Sequence, residues 1–391
     1  MIYISDICKL MIVEDRVLGH VAKAQTEDVD PFYIYDIQAI RKKCDDFSSI
    51  PYRNKSIHFA TMANINPEFL AVVKSSNLNV FVNSLKHLER VKEAGFKGSE
   101  IVFTSSAMSE KVMKSVCAEN VQINLDSVRQ LELWQKLFPK KAVGIRCNIG
   151  GMVKPYSTRA GFFLGKESRL GLTVDEIKGI VNKHIIKGLH LYIGTDIFDI
   201  DYFIECYRAL IELSLDFPEL EYLNFGGGFG ISEHGDELFN IKIYGEKVSA
   251  MMDEVSLKRG KSIQMILEPG RIIGGEAGYF VCQVTDIKER ENRVFVGVNA
   301  STAQFTRPLI YPESANHPVV IIRNGALLEA ENQVNTTIYG CSTYSRDIFC
   351  KDKQLPQLSI GDLMIFANSG SYCASSYCEF LGFDKPKEVF I

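Results

Sequence analysis

Two short segments carry the residue types that could do chemistry. Asn224-Phe225-Gly226-Gly227-Gly228-Phe229-Gly230 packs four glycines into five positions directly after a strand-like run. Without Cβ atoms the backbone can approach an anion closely and turn several N–H groups toward it. A phosphate is one reading; a tight turn that needs positive φ is the other. Glu268-Pro269-Gly270-Arg271 follows the next such run. Its carboxylate could accept a hydrogen bond from a protonated ring nitrogen, and its guanidinium could bind a phosphate. A structural Glu–Arg ion pair would use the same residues. His58 and His87 fit core and surface roles, and Glu167 and Asp175 read as charges at the approach to a helix. No His/Cys/Asp cluster has metal-ligand spacing, and no Gly-x-Ser-x-Gly elbow is present.

Both segments need a scaffold that ends strands at a common rim. Strand-like runs occur at Ile57–Met62, Leu78–Val82, Ile101–Thr104, Val121–Leu125, Ala142–Asn148, Ile186–Ile193, Tyr222–Phe225 and Ile263–Leu267. Helical patterns lie between them. Asn83-Ser84 can cap a helix that ends at Gly95, and Val128, Leu131, Trp134 and Phe138 recur at helical spacing. Eight strand–helix alternations predict a (β/α)8 barrel rather than a doubly wound open sheet. The glycine loop would then follow strand seven, and Glu268 would face the barrel mouth from strand eight. Beyond it, Gly278–Asp286, Arg293–Val298, Val319–Ile322 and Leu363–Phe366 predict a β domain. The expected division is a barrel over 31–275 and a β domain made of 1–30 and 276–391, the first part supplying strand-like pieces.

Composition narrows the function. With 44 Lys+Arg against 48 Asp+Glu the net charge is −4, which offers no basic face for nucleic acid. No apolar run reaches the ~18 residues of a membrane span. The segment Met1-Ile2-Tyr3-Ile4-Ser5-Asp6 lacks the pattern of a signal peptide. Ten scattered cysteines without a Cys-x-x-Cys pair read as reduced thiols. A cytoplasmic protein acting on a small molecule is expected.

Further motifs, in order, carry a resemblance. They are Phe59-Ala60-Thr61-Met62-Ala63-Asn64 with Asn66-Pro67, Lys166-Glu167-Ser168-Arg169-Leu170-Gly171, and Gly188-Leu189-His190-Leu191-Tyr192-Ile193-Gly194-Thr195. After the glycine loop and Glu-Pro-Gly-Arg come Thr306-Arg307-Pro308, Ser345-Arg346-Asp347 and Gly370-Ser371-Tyr372. Together they resemble the fold-type III pyridoxal-phosphate decarboxylases, the diaminopimelate and ornithine decarboxylase family, whose barrel is related to that of alanine racemase. The resemblance implies pyridoxal 5'-phosphate as cofactor. Gly226, Gly227, Gly228, Arg271 and Tyr372 would hold its phosphate, Thr195 and Arg146 would adjoin it, and Glu268 would sit at its ring nitrogen. Arg307 would meet a substrate carboxylate, with Tyr311 nearby. Asp347 would come from the partner subunit of a homodimer.

The same comparison shows departures. Met62 stands where the family has its Schiff-base lysine, and a thioether neither forms such a bond nor carries a titratable proton. Tyr192 replaces the cofactor-stacking histidine, Phe81 an aspartate, Thr343 a cysteine and Tyr344 an acidic residue; Cys341 is an alternative for the thiol. Lys86 is placed near the mouth but reads as a solvated helix residue. The implied function is a decarboxylase-like protein that binds pyridoxal phosphate, or an adduct of it, with decarboxylation lost or altered; the cofactor would be held non-covalently or through another amine. The substrate side would be a small or carrier-bound amino acid. Two alternatives are a non-catalytic partner of a true decarboxylase and an active enzyme with an engineered Lys→Met change.

Overall fold

The eight strand-like runs form one closed ring. The computed structural model describes residues 13–24, 28–156, 163–232, 238–291, 293–312, 315–329 and 332–391. Strands β1 (Lys55–Ala60), β2 (Asn79–Val82), β3 (Ile101–Ser105), β4 (Gln122–Leu125), β5 (Val143–Asn148), β6 (Ile186–His190), β7 (Tyr222–Asn224) and β8 (Gln264–Leu267) pair in parallel with their neighbours in chain order. β8 closes on β1, with Met265 opposite Lys55 and Leu267 opposite Ile57. This is the expected (β/α)8 barrel.

Local sequence sets the helix ends. Ser84, Ser109, Ser127, Asp199 and Asn240 each accept a hydrogen bond from a backbone N–H in the first turn of the following helix. Gly260 closes the helix Ile241–Arg259 with φ +63°, a left-handed position that costs glycine little. Inside the barrel the phenol of Tyr222 donates to Asn124 Oδ1 at 2.9 Å. Its ring occupies space left by two glycines. A Cβ on Gly188 would lie 1.9 Å from the Tyr222 ring, and one on Gly144 2.1 Å from its hydroxyl.

The chain divides into two compact units, Arg41–Gly230 with Phe239–Ile273, and Met1–Ile40 with Ile231–Leu238 and Gly274–Ile391. The second unit is built on a nine-stranded sheet around the long strand Gly278–Arg290. Phe32–Tyr35, Leu363–Phe366 and Arg293–Val298 all pair antiparallel to that strand. Phe280, Phe305, Phe349 and Phe366 stack or tilt against one another in its core.

Two expectations about the N-terminal region change. Asp15–Ala24 is a helix rather than a strand-like piece, because Val13, Val17 and Val21 recur every four residues and bury one helical face. Residues 1–12 of the expected β contribution lie outside the described residues. Phe32–Tyr35 pairs with Gly278–Arg290 and Lys387–Phe390, so the boundary expected at residue 31 falls after Ile40.

Candidate active site

Glu268 is the first residue past β8 and is 5% exposed. Its N–H donates to Gly226 O at 2.7 Å, tying it to the glycine loop. The carboxylate accepts from Asn224 Nδ2 at 2.6 Å and lies 3.3 Å from His190 Nε2. Burial opposes ionisation, but His190 and Asn224 together hold the carboxyl below the usual glutamate range. Asn224 also accepts from Gly226 N–H through Oδ1. It therefore joins the loop to the carboxylate, a role the sequence did not assign, although its place directly before the glycines was the available signal. His190 Nδ1 is buried with no hydrogen-bond partner among the described residues.

The glycines are required by close backbone approach. A Cβ on Gly226 would lie 2.2 Å from Leu191 O, one on Gly227 2.4 Å from Glu268 O, and one on Gly228 2.7 Å from Gly194 O. Gly226 and Gly228 have φ of +65° and +108°. Gly228 O accepts from Ile197 N–H at 2.9 Å, which fastens the turn 194–197 to the loop. The N–H groups of Gly227 and Gly228 meet no acceptor among the described residues. Arg271, buried, pairs with Asp196 of that turn. Tyr192 Oη and Thr195 Oγ1 are 2.8 Å apart on the same segment. Open backbone donors beside a buried guanidinium suit a phosphate monoester, and a buried ionised carboxylate suits a protonated ring nitrogen. These residues fit pyridoxal phosphate.

Strands β1 and β6 end earlier than expected, at Ala60 and His190, which leaves Met62 and Tyr192 in the segments just beyond them. Met62 is half-buried, and its sulfur lies 4.0 Å from Thr61 Oγ1. That hydroxyl also meets Phe81 O at 3.0 Å and His87 Nδ1 at 2.8 Å, so His87 is more than a surface side chain. Lys86 is exposed on its helix. Tyr192 packs edge-on to Phe163, and Arg146 lies 5.9 Å from its ring centre. Arg146 also sits 3.7 Å from Asp126. Burial lowers the guanidinium pKa, and the charges of Asp126 and Glu268 oppose that shift. Asp126 accepts from Gly171 N–H at 3.1 Å, which gives the Lys166–Gly171 motif a positioning role. His58, inside β1, is pushed down to about 4 by burial, despite its hydrogen bond to Val80 O and the charge of Glu268.

The remaining candidates belong to the sheet unit. Arg307 is buried on a short helix with its guanidinium 5.4 Å from the ring centre of Tyr311. Tyr372 adopts φ +58° next to Gly370 and Ser371. Thr343 and Cys341 are exposed. Asp347 is 1% exposed: Oδ1 accepts from Ser301 Oγ, Thr302 N–H and Thr302 Oγ1, and Oδ2 from the N–H and hydroxyl of Ser342. With both oxygens engaged in its own chain, Asp347 as placed anchors the turn around Ser342 rather than offering a free carboxylate.

A family model described as "Pyridoxal-dependent decarboxylase, pyridoxal binding domain" matches residues 37–275. The chain belongs to the pyridoxal-dependent decarboxylase family. The glycine loop and Glu-Pro-Gly-Arg fall inside the matched residues. The chain is 30% identical over 364 residues to diaminopimelate decarboxylase of Buchnera aphidicola subsp. Schizaphis graminum, covering 88% of this chain and 85% of that one. It is 25% identical over 364 residues to the Escherichia coli K12 diaminopimelate decarboxylase, at 88% and 84% coverage. Among solved structures, Helicobacter pylori diaminopimelate decarboxylase complexed with L-lysine matches with TM-score 0.81 at 24% identity, over 95% of this chain and 94% of that one. Vibrio vulnificus lysine/ornithine decarboxylase complexed with putrescine matches with TM-score 0.81 at 16% identity, over 97% and 99%. At those identities the structural likeness bears on fold. No helix among the described residues is long and apolar enough to cross a membrane.

Proposed function

We propose that this decarboxylase-family chain binds pyridoxal phosphate, or an amino-acid adduct of it, non-covalently in the barrel mouth, and that ordinary α-decarboxylation is lost or altered. One juxtaposition carries the reading. The structure holds a phosphate-type cradle of Gly226–Gly228 and Arg271 beside a Glu268 whose carboxyl is held below its usual range, while Met62 stands where, by the resemblance, the family would have its lysine. Pyridoxal phosphate, when bound, supplies a ring that takes up the bonding electron pair left behind as carbon dioxide departs. Glu268 would keep a proton on the ring nitrogen, fixed in that task by Asn224 and His190. Thr195 and Arg146 would border the cofactor, and Tyr192 would cover it where the family has histidine. Met62 offers neither an amine to hold an aldehyde nor a proton to return. Each lost acid–base function costs about 10²–10⁴-fold in rate, so turnover of a free amino acid should be severely impaired. For Arg307, Tyr311, Tyr372 and the homodimer, the reading rests on the resemblance alone.

The test is a titration of the purified protein with pyridoxal phosphate, followed by absorbance and equilibrium dialysis, beside Gly227→Val. Saturable binding that dialyses away and is abolished in the variant is the expected result. No binding, or binding indifferent to a side chain at residue 227, would overturn the proposal and favour a partner protein on a decarboxylase scaffold.

A further inference from the structure

We propose that Asp196 competes with the phosphate of the cofactor for Arg271, so that an internal carboxylate sets the affinity of the barrel mouth for phosphorylated ligands. This rests on the reading that the cradle receives a phosphate. Three observations carry it. The turn bearing Asp196 is fastened to the glycine loop: Ile197 N–H donates to Gly228 O, and Gly230 N–H donates to Ile197 O at 3.1 Å. The Asp196 carboxylate, on that fastened turn, is ion-paired with the buried Arg271 guanidinium. Its other oxygen, Oδ1, is buried and has no donor among the described residues.

The two partners are unequal. The Arg271 side chain is 5% exposed and that of Asp196 30% exposed. A buried guanidinium needs an anion beside it, whereas the carboxylate at the edge can turn into water at little cost. Asp196 is thus the mobile member. Its backbone, at φ +55°, lies in the left-handed region that aspartate tolerates better than most side chains, so a rotation about its side-chain bonds is the available motion. A phosphate can satisfy Arg271 and also the open N–H groups of Gly227 and Gly228, which the single carboxylate leaves unused. It must first displace that carboxylate or bear the repulsion of a like charge beside it. Phosphorylated ligands are therefore bound more weakly than the cradle alone would allow, and ligands without a phosphate are unaffected.

The experiment measures binding of pyridoxal phosphate and of unphosphorylated pyridoxal to the wild type, Asp196→Asn and Asp196→Gly by equilibrium dialysis, with melting temperatures recorded alongside. Asp196→Asn preserves shape, and Asp196→Gly suits the left-handed backbone. Both variants should bind pyridoxal phosphate about tenfold or more tightly than the wild type, with inorganic phosphate competing better and pyridoxal affinity unchanged. Unchanged or weaker pyridoxal phosphate binding in both, with wild-type melting, would overturn the competition and leave the phosphate reading intact. An equal gain for pyridoxal would also overturn it, because the effect would not be on phosphate. Absence of pyridoxal phosphate binding in all three proteins would overturn both.

Discussion

Glu268 Oε2 and His190 Nε2 face each other at 3.3 Å, both side chains buried, one from the rim beyond β8 and the other from the end of β6. The pair gives the barrel mouth a negative pole held by the protein itself. The glycine loop Gly226–Gly228 adjoins it through the Glu268 N–H to Gly226 O hydrogen bond, and Arg271, paired with Asp196, supplies a buried cation. Under the proposed function, a cofactor with a basic ring nitrogen and a phosphate would be matched at both ends, and the group lacking between them would be an amine at residue 62.

Acidification should weaken the fold through His58. Its pKa is about 4 in the folded chain against an ordinary 6.5. Between those values the unfolded chain takes up the proton first, so stability is full above pH 6.5 and falls as pH drops toward 4. The loss approaches about 3 kcal/mol. Urea midpoints across that range should slope downward in the wild type and flatten in His58→Gln over the same window.

The barrel interior should reject a methyl group at residue 188. Gly188→Ala places a Cβ on the Tyr222 ring and should destabilise by about 1–3 kcal/mol, read from denaturant unfolding. Combining it with Tyr222→Leu, which vacates the ring plane, should recover part of that cost.

Legibility of the sequence followed the range of the interactions. All eight barrel strands were readable because alternation with capped helices is a local pattern, and Ser84, Ser127 and Gly260 fall where caps do. The glycine loop was readable for the same reason. The helix Asp15–Ala24 was missed although Val17 and Val21 carry its period, because the segment is short and its flanks resemble strands. The pairing of Asp196 with Arg271 had no local sign: the partners are 75 residues apart, and it is the pairing of β7 with β6 on one side and β8 on the other that brings the two strand ends together. Asp347 shows the converse limit, since a motif gave its identity and said nothing of the five donors around it.

Asp347→Ala decides between anchoring and chemistry. Removing the carboxylate strands the buried N–H of Thr302 and the donors of Ser342, a cost of about 2–4 kcal/mol. The variant should lose that much stability and bind pyridoxal phosphate, once folded, as the wild type does. Unchanged stability with weakened binding would return Asp347 to the site.

Met62→Lys restores an amine on an unbranched side chain at a half-buried position. Borohydride treatment after loading with pyridoxal phosphate should then fix a label on residue 62. Release of carbon dioxide from a diamino acid by the same variant would show the rest of the site to be competent; its failure would assign equal weight to Tyr192 and Phe81.

The proposed function requires the wild-type chain to hold its cofactor without a covalent bond to lysine. It is tested most directly by loading the wild-type protein with pyridoxal phosphate, reducing with borohydride and mapping pyridoxyl groups by peptide mass spectrometry. The expected result is no stoichiometric pyridoxyl-lysine and cofactor that is lost on dialysis. A stoichiometric label on any lysine, Lys86 included, would contradict it.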